Sequence, residues 1–307
     1  AFVYGLSMLG VSWMGLRDAR VLATLEKFGR GSEFGQVRKF AAVGWGASGL
    51  VMGQLQDYLG RYALFGGFAS IELALMLLLA LVPMEPPERS DGKAEVRGSL
   101  WETVRTAEVS LFLSNLFVYG FCASAVETYL FVYLLRDFQG ASDTLVGCTL
   151  VMMTASEVPV FQFADKILGR GYFPVHAACH WVFALRCLLY AALPAASPWL
   201  VLGIEPLHGI TFAAMWASAV DFGRSKAPAG CAARFQALLN GIYFQAAMGL
   251  GSLFWGRAMA AEGYRASYRF DAALVVAWGL LWSFAMLRRS RKTVARESSL
   301  DRSLLDC

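Results

Sequence analysis

Long apolar runs separated by short polar segments make up most of the chain. Nine of these runs approach or exceed 20 residues, the length that a helix needs to cross the hydrocarbon core of a bilayer. None shows the strict apolar–polar alternation that is typical of a half-buried strand. The pattern predicts an all-α polytopic membrane protein with about nine transmembrane helices, at residues 1–26, 38–56, 62–83, 106–134, 143–164, 173–194, 198–220, 232–256 and 270–288.

One long polar connection, residues 84–105, interrupts the series of spans and is rich in Pro, Glu, Arg and Gly. We interpret it as a cytoplasmic linker between two helical bundles. Residues 1–83 would be the remainder of an N-terminal bundle with three spans, residues 106–288 a six-helix C-terminal bundle, and residues 289–307 a cytoplasmic tail. Because the first residue is Ala and already lies in an apolar run, we expect a chain that lacks its N-terminal part.

Lys and Arg residues are unevenly distributed among the connections. If residues 17–39 lie in the cytoplasm, 21 of the 27 Lys and Arg residues fall on the cytoplasmic side and 5 on the other side. Arg186 is left within a span. Since cytoplasmic loops are enriched in Lys and Arg, this distribution predicts a multi-pass protein whose C-terminus is cytoplasmic.

Composition supports a membrane class and argues against others. The chain is 57% hydrophobic and 16% charged, whereas a soluble domain carries about 25% charged residues. Its six Cys and three His show no metal-ligand spacing, and neither a Gly-x-Ser-x-Gly nor a His-Glu-x-x-His motif occurs. We expect no enzyme, no cofactor, no metal site and no nucleic-acid partner. The expected partners of this chain, taken to be a monomer, are the lipid bilayer and a small polar solute.

Three successive spans carry ionisable residues at positions that lipid disfavours. Glu157 precedes Pro159 in the first of these spans, Arg186 lies in the second, and Glu205 and His208 lie in the third. Each such group costs roughly 2.5–3.5 kcal/mol at bilayer depth on insertion scales, so these groups usually face one another or a wet cavity. The pattern predicts one polar cluster at a central cavity.

A proton-coupling function follows from this chemistry. A carboxyl group in an apolar cavity favours its neutral form, and a neighbouring guanidinium reverses that preference. An acid that alternately meets and loses Arg186 would therefore bind and release a proton. The alternative is a static salt bridge that only fixes helix packing. Glu127, late in the fourth span, either faces the same cavity or lies near its outer mouth.

A second polar set precedes the linker. Arg38 and Trp45 are seven residues apart and share a helix face, and Asp18 lies late in the first span. An acid, a guanidinium and an indole together suit a polyol, through hydrogen bonds to its hydroxyls and stacking on its apolar face. The alternative is that Arg38 follows the positive-inside bias and Trp45 only packs.

The segment Glu33-Phe-Gly-x-x-Arg38-x-Phe40-x-x-Val43-Gly44-Trp45 resembles the fifth helix of the lactose-permease-like, oligosaccharide:proton symporter branch of the major facilitator superfamily. Thr154-Ala-Ser-Glu157, Ala184-Leu-Arg186 and Leu207-His208 resemble motifs of its eighth, ninth and tenth helices. The Ser-Glu-Val-Pro and Glu-Pro-Leu-His-Gly stretches are similar to the "major facilitator superfamily domain-containing protein 6"-like group. The resemblance implies the superfamily fold, with helices 4–12 of 12 present.

The resemblance also implies residue roles. Substrate would be bound by Asp18, Arg38, Trp45, Glu157 and His208. Proton coupling would involve Glu157, Arg186, Glu205, His208 and Glu127. The chain departs from the sugar carriers at three positions, with Thr211 at the proton acid and Glu205 and Gln245 at two lysines. Glu205 is therefore our candidate proton carrier.

Together these observations predict a secondary active transporter. It would move a sugar- or nucleoside-like solute by alternating access, with two bundles rocking around a midplane site. Proton coupling is left open. The alternative is a non-transporting receptor-like or scaffold membrane protein that retains the transporter fold.

Overall fold

A computed structural model describes residues 21, 24–25, 27–30, 33–60, 62–81 and 99–305. Helices dominate this part of the chain, and it contains no strand. The helices are α1 (Phe34–Leu59), α2 (Tyr62–Leu81), α3 (Leu100–Arg105), α4 (Ala107–Asp137), α5 (Asp143–Gln162), α6 (Ala164–Leu168), α7 (Tyr172–Ala192), α8 (Pro198–Lys226), α9 (Ala232–Glu262) and α10 (Tyr264–Leu305).

Six helices of the described part, α4, α5, α7, α8, α9 and the Tyr264–Ser290 part of α10, are long and apolar enough to cross a membrane. They coincide with the last six predicted spans. The helices α1 and α2 coincide with the second and third, whereas the predicted span 1–26 lies almost wholly outside the described residues. The last span begins six residues before the predicted position 270, since Arg265 and Arg269 lower the hydropathy of this segment.

Aromatic side chains fill the interior of the six-helix bundle. Phe112 of α4 stacks on Phe222 of α8 with ring centroids 3.8 Å apart. The indole of Trp255 in α9 donates to the Phe121 carbonyl of α4, and that of Trp282 in α10 donates to the Leu111 carbonyl. Because lipid is as apolar as these side chains, close packing and satisfied indole groups hold such helices together.

Helices α1 and α5 approach through glycines. A Cβ atom at Gly147 would lie 2.8 Å from the Gly49 carbonyl oxygen, and one at Gly53 would collide with the Asp143 carbonyl oxygen. A Cβ at Gly46 would overlap the Thr154 hydroxyl. We call this contact the glycine seam, formed by Gly46, Gly49, Gly53 and Gly147.

Hydrogen bonds connect α1 and α5 at both ends of the glycine seam. At one end the Asp57 carboxylate accepts from the backbone N–H groups of Asp143 and Thr144, at 3.1 and 2.8 Å, and from the Thr144 hydroxyl. It thereby satisfies free N–H groups at the start of α5. At the other end Lys39 Nζ donates to Gln162 Oε1 at 2.6 Å.

Helix α8 is irregular over its first half. It consists of 3₁₀ turns at Pro198–Gly203 and Glu205–Leu207, a π-helical segment at Gly209–Ala214 and an α-helix only from Met215. Pro206 has no backbone N–H to donate and therefore interrupts the regular i to i−4 hydrogen-bond pattern of the helix. Such irregular turns often mark functional sites, and here they carry Glu205 and His208.

Candidate functional site

Arg186 is the centre of a buried ionic cluster, which we define as Glu127, Glu157, Arg186, Glu205 and His208. Its side chain has no solvent-exposed surface. Nε donates to the Tyr190 hydroxyl at 2.7 Å and Nη2 to Glu205 Oε2 at 2.9 Å. The Tyr190 hydroxyl in turn donates to Glu205 Oε1 at 2.7 Å. Glu205 is thus held by Arg186 and Tyr190 together, which is the kind of arrangement that a buried ion pair needs.

His208 links the guanidinium to a second carboxylate. Arg186 Nη1 lies 3.1 Å from His208 Nδ1, and His208 Nε2 lies 2.9 Å from Glu157 Oε1. A guanidinium can only donate, so Nδ1 must accept and Nε2 must carry the proton that is donated to Glu157. The hydrogen-bond network therefore assigns a neutral imidazole to His208.

Glu127 of α4 is the third carboxylate of the cluster. Its Oε1 lies 3.6 Å from Arg186 Nη1 and 3.5 Å from His208 Nδ1. Its side chain is 24% exposed, whereas that of Glu205 is fully buried. The guanidinium thus contacts two carboxylates directly, Glu205 at 2.9 Å and the partly exposed Glu127 at 3.6 Å, and is connected to Glu157 through His208.

A close approach between α5 and α8 sets the geometry of the cluster. The backbone N–H of Gly209 donates to the Ser156 hydroxyl at 2.9 Å, and any Cβ at Gly209 would collide with the Ser156 carbonyl. This contact brings His208 and Glu157, each one residue away, within hydrogen-bond distance.

The Thr211 hydroxyl, at the position where the resemblance implies a proton acid, lies 3.4 Å from Arg186 Nη1.

A cavity of about 440 Å³ lies beside the cluster, between α1 and the six-helix bundle. This volume is within the range of small-molecule sites. Its polar and charged lining includes Glu127, Glu157, His208 and Thr154. The remaining lining residues are apolar or aromatic, namely Ala41, Ala42, Trp45, Val126, Leu130, Phe131, Leu150, Met153, Phe212, Tyr243, Phe244 and Met248.

The structure brings most of the candidate residues together. Glu127, Glu157 and His208 line the cavity, and Trp45 lines it from α1. Arg186 and Glu205 lie behind these residues and are not part of its wall. Asp18 lies outside the described residues, as does the side chain of Arg38, although the backbone of Arg38 belongs to α1. The cavity position of Glu127 decides between the two placements that the sequence allowed.

Sequence reasoning missed Asp271. This residue of α10 is fully buried, its Oδ2 lies 3.5 Å from the Cys187 thiol, and its Oδ1 has no hydrogen-bond partner in the described part of the chain. An acid at the second position of the predicted span 270–288 was the available signal. Among the described residues, no group of three or more His, Cys, Asp and Glu could hold a metal ion.

Comparisons with known proteins agree with this architecture. The chain is 26% identical over 231 residues to a maltose permease of Geobacillus stearothermophilus, covering 73% of this chain and 55% of the permease. It is 24% identical over 249 residues to the uncharacterized transporter YwbF of Bacillus subtilis (strain 168), covering 81% and 59%. The chain thus spans somewhat more than half the length of these two relatives.

A third relative is eukaryotic. The chain is 26% identical over 159 residues to the major facilitator superfamily domain-containing protein 6-like protein A of Xenopus laevis, covering 50% of this chain and 24% of that protein. The sequence profile of the MFS_1 like family matches residues 1–270. With this match and six helices of the described part that are long and apolar enough to cross a membrane, the chain is an integral multi-pass membrane protein and belongs to the MFS_1 like family of the major facilitator superfamily.

Proposed function

We propose that this protein is a secondary active transporter that moves a small polar solute by alternating access. The observation that supports this proposal is the cavity between α1 and the six-helix bundle, whose wall carries Glu127, Glu157 and His208. Charged groups inside a membrane are costly and are retained where they serve transport or proton relay. A midplane site between two rocking halves is the arrangement that secondary transporters share.

The proposed organisation follows the sequence boundaries. Residues 1–83 belong to one moving half, residues 84–105 connect the halves in the cytoplasm, and residues 106–288 form the other half. The tail 289–307 is cytoplasmic and the transporter acts as a monomer. The glycine seam is then a contact between the halves, and it rearranges during the cycle.

Proton coupling is the second part of the proposal. Glu127 is exposed to the cavity and lies 3.6 Å from Arg186, so gain of a proton there removes an attraction to the guanidinium. Glu157 connects to the same guanidinium through His208. Glu205, the candidate carrier by sequence, binds a proton when Arg186 and Tyr190 move away from it and releases that proton when they return. A change of these contacts during the transport cycle therefore changes the charge that the cluster favours.

Substrate binding is assigned to the cavity wall. Glu157 accepts hydrogen bonds, His208 donates one to the solute when the solute replaces Glu157 as the partner of Nε2, and Trp45 supplies a flat apolar surface from α1. Asp18 and Arg38 contribute from the N-terminal half by the resemblance to sugar carriers. Since the relatives include a maltose permease, sugars and nucleosides are the first solutes to examine.

Uptake by the complete protein in proteoliposomes tests this proposal. We expect saturable uptake of at least one solute from a panel of sugars, nucleosides and organic amines, and lower accumulation after a proton uncoupler is added. Failure of every solute to enter would favour the alternative, a receptor-like or scaffold protein that retains the transporter fold.

The variant Glu157→Gln separates binding from coupling. We expect loss of accumulation with exchange of bound solute retained, because the amide keeps the hydrogen bond to His208 but cannot bind and release a proton. Glu102→Gln, an exposed position on the short helix α3, is the matched control. Full accumulation by Glu157→Gln would remove Glu157 from the coupling role.

A further inference from the structure

Aromatic side chains form a substantial part of the cavity wall. Trp45, Phe131, Phe212 and Phe244 all line it and all retain exposed surface. Phe212 also lies parallel to the His208 ring, with centroids 5.3 Å apart and an angle of 19° between the planes. Aromatic faces carry a negative quadrupole that attracts cations, and aromatic cages are the usual means of binding quaternary ammonium groups.

The charged groups of the wall are carboxylates alone. Glu127 and Glu157 border the cavity, and no described lining residue is Lys or Arg. The positive charge of Arg186 is fully buried and is matched by Glu205 at 2.9 Å. His208 is neutral in this network, because its Nδ1 accepts from Arg186. The described wall is therefore negative where it is charged and apolar elsewhere.

The same wall offers little to a polyol. A sugar needs a donor or an acceptor for each hydroxyl that leaves water. Of the described lining residues, Thr154 already donates its hydroxyl to backbone carbonyls of its own helix, at 2.9 Å to Leu150. Tyr243 is only 2% exposed. The carboxylates of Glu127 and Glu157 accept hydrogen bonds when ionised and do not donate them.

We infer that the solute is an organic monocation with an apolar body, such as an alkyl- or arylammonium ion. Its charged head lies between Glu127 and Glu157, and its body lies against Trp45 and the phenylalanine rings. Both carboxylates border the cavity and lie next to the same imidazole, Glu127 at 3.5 Å from Nδ1 and Glu157 at 2.9 Å from Nε2. This inference rests on the proposed transport function and names its substrate class.

A consequence is that the cation and a proton compete for the same carboxylates. A cation bound at the Glu127 or Glu157 carboxylate disfavours protonation of that carboxylate. Protonation in turn removes the negative charge that attracts the cation. Affinity for the cation is then expected to fall as the pH is lowered, whereas a neutral sugar lacks this direct competition.

Binding to the complete protein in lipid nanodiscs, measured by calorimetry, tests the inference. The probes are phenyltrimethylammonium, choline and 3,3-dimethylbutan-1-ol, the uncharged isostere of choline, with maltose and uridine for the neutral solutes. We expect choline to bind at least tenfold more tightly than its isostere and phenyltrimethylammonium more tightly than choline. Equal binding of choline and its isostere would overturn the inference.

Variants locate the site. We expect Glu127→Gln and Glu157→Gln each to weaken phenyltrimethylammonium at least tenfold and Trp45→Ala to weaken it severalfold, while the control Glu102→Gln leaves it unchanged. Arg38→Ala separates the solute classes: loss of a positive charge from the face of α1 that carries Trp45 should tighten cation binding. Weaker cation binding in Arg38→Ala would contradict the inference. A thermal unfolding transition measured for each variant serves as the control that the variant is folded.

Uptake measured alongside binding distinguishes the two proposals. Saturable uptake of maltose or uridine that phenyltrimethylammonium does not inhibit would overturn the cation inference and leave the transporter proposal standing. Carboxylate-dependent binding of phenyltrimethylammonium without uptake of any probe would support the cation site and overturn transport. Absence of both binding and uptake would overturn both.

Discussion

Helix α5 takes part in two contacts that are built in opposite ways. Toward α1 it presents the glycine seam, where backbones touch because side chains are missing. Toward α7 and α8 it presents Glu157, which enters the ionic cluster through His208. The seam contains no charge between its two ends and can be broken and remade at low cost. The cluster depends on Arg186, because its removal leaves the fully buried Glu205 carboxylate without a cation. The comparison assigns the easier rearrangement to the seam and the higher energetic cost of separation to the Arg186–Glu205 pair.

The largest effect is expected from breaking the cluster at Arg186. Arg186→Ala leaves the fully buried Glu205 without its cation, which costs about 3–5 kcal/mol when a buried pair loses one member. Unfolding can be followed with a thiol-reactive dye, since Cys122, Cys179 and Cys187 are buried. The exposed Arg257→Ala is the control. Replacement of both Arg186 and Glu205 by Leu should recover much of the loss. A double variant as unstable as the single one would contradict this account of the pair.

The next effect is expected at the seam. Gly53→Ala places a methyl group against the Asp143 carbonyl, and such overpacking costs about 1–3 kcal/mol. Gly44→Ala on the same helix meets nothing within 4 Å and is the matched control. Thermal unfolding together with cysteine accessibility in α5 measures both variants. Equal stability of Gly53→Ala and Gly44→Ala would show that the helices do not depend on this close approach.

A smaller, pH-dependent effect is expected where Asp57 meets α5, beyond the predicted span 38–56. The hydrogen bond from the Thr144 hydroxyl, aided by the backbone N–H groups of Thr144 and Asp143, lowers the pKa of the Asp57 carboxyl below its ordinary value. Its stabilising contribution is present above the ordinary pKa of about 4 and is lost as the pH falls through the lowered value. The melting temperature of the wild type should therefore exceed that of Asp57→Asn at pH 7, and the two melting temperatures should converge at acid pH.

A matched control isolates this capping contact. Asp137→Asn removes an exposed carboxylate at the end of α4 and should leave the melting temperature nearly unchanged at both pH values. A difference between wild type and Asp57→Asn that stayed constant down to acid pH would rule out the carboxylate as its source.

The smallest effect is expected at Asp271. This buried acid contacts a thiol and no described cation, so Asp271→Asn should leave stability unchanged or raise it by about 1 kcal/mol, because an amide is cheaper to bury than a carboxylate. Chemical or thermal unfolding of the two proteins measures the change. Asp221→Asn on α8 is the comparison, because the exposed Asp221 carboxylate has a cationic partner, Arg224, at 2.9 Å. A marked loss in Asp271→Asn would mean that the charge of Asp271 has a partner.

Particular elements show how far sequence reasoning reached. The spans 106–134, 143–164, 173–194, 198–220 and 232–256 agree with helices α4, α5, α7, α8 and α9 to within a few residues at most ends. Prediction failed at the start of α10, where Arg265 and Arg269 lower the local hydropathy, and it left out Asp271 as a buried acid although this residue lies inside the predicted span 270–288. The pairing of Arg186 with Glu205, and of Glu157 with His208, was left open because residues on different helices meet according to helix depth and rotation.

The sequence by itself determined the membrane-spanning helices. A span in lipid needs about twenty apolar residues, and its backbone N–H and C=O groups must form hydrogen bonds within the helix. The sequence also identified Glu157, Arg186, Glu205 and His208, because ionisable groups are conspicuous in an apolar run. Only the tertiary structure decided which carboxylates border the cavity and which one is sealed behind it with the guanidinium. That choice depends on close approaches such as Gly209 against Ser156, and these are properties of packed helices rather than of any one segment.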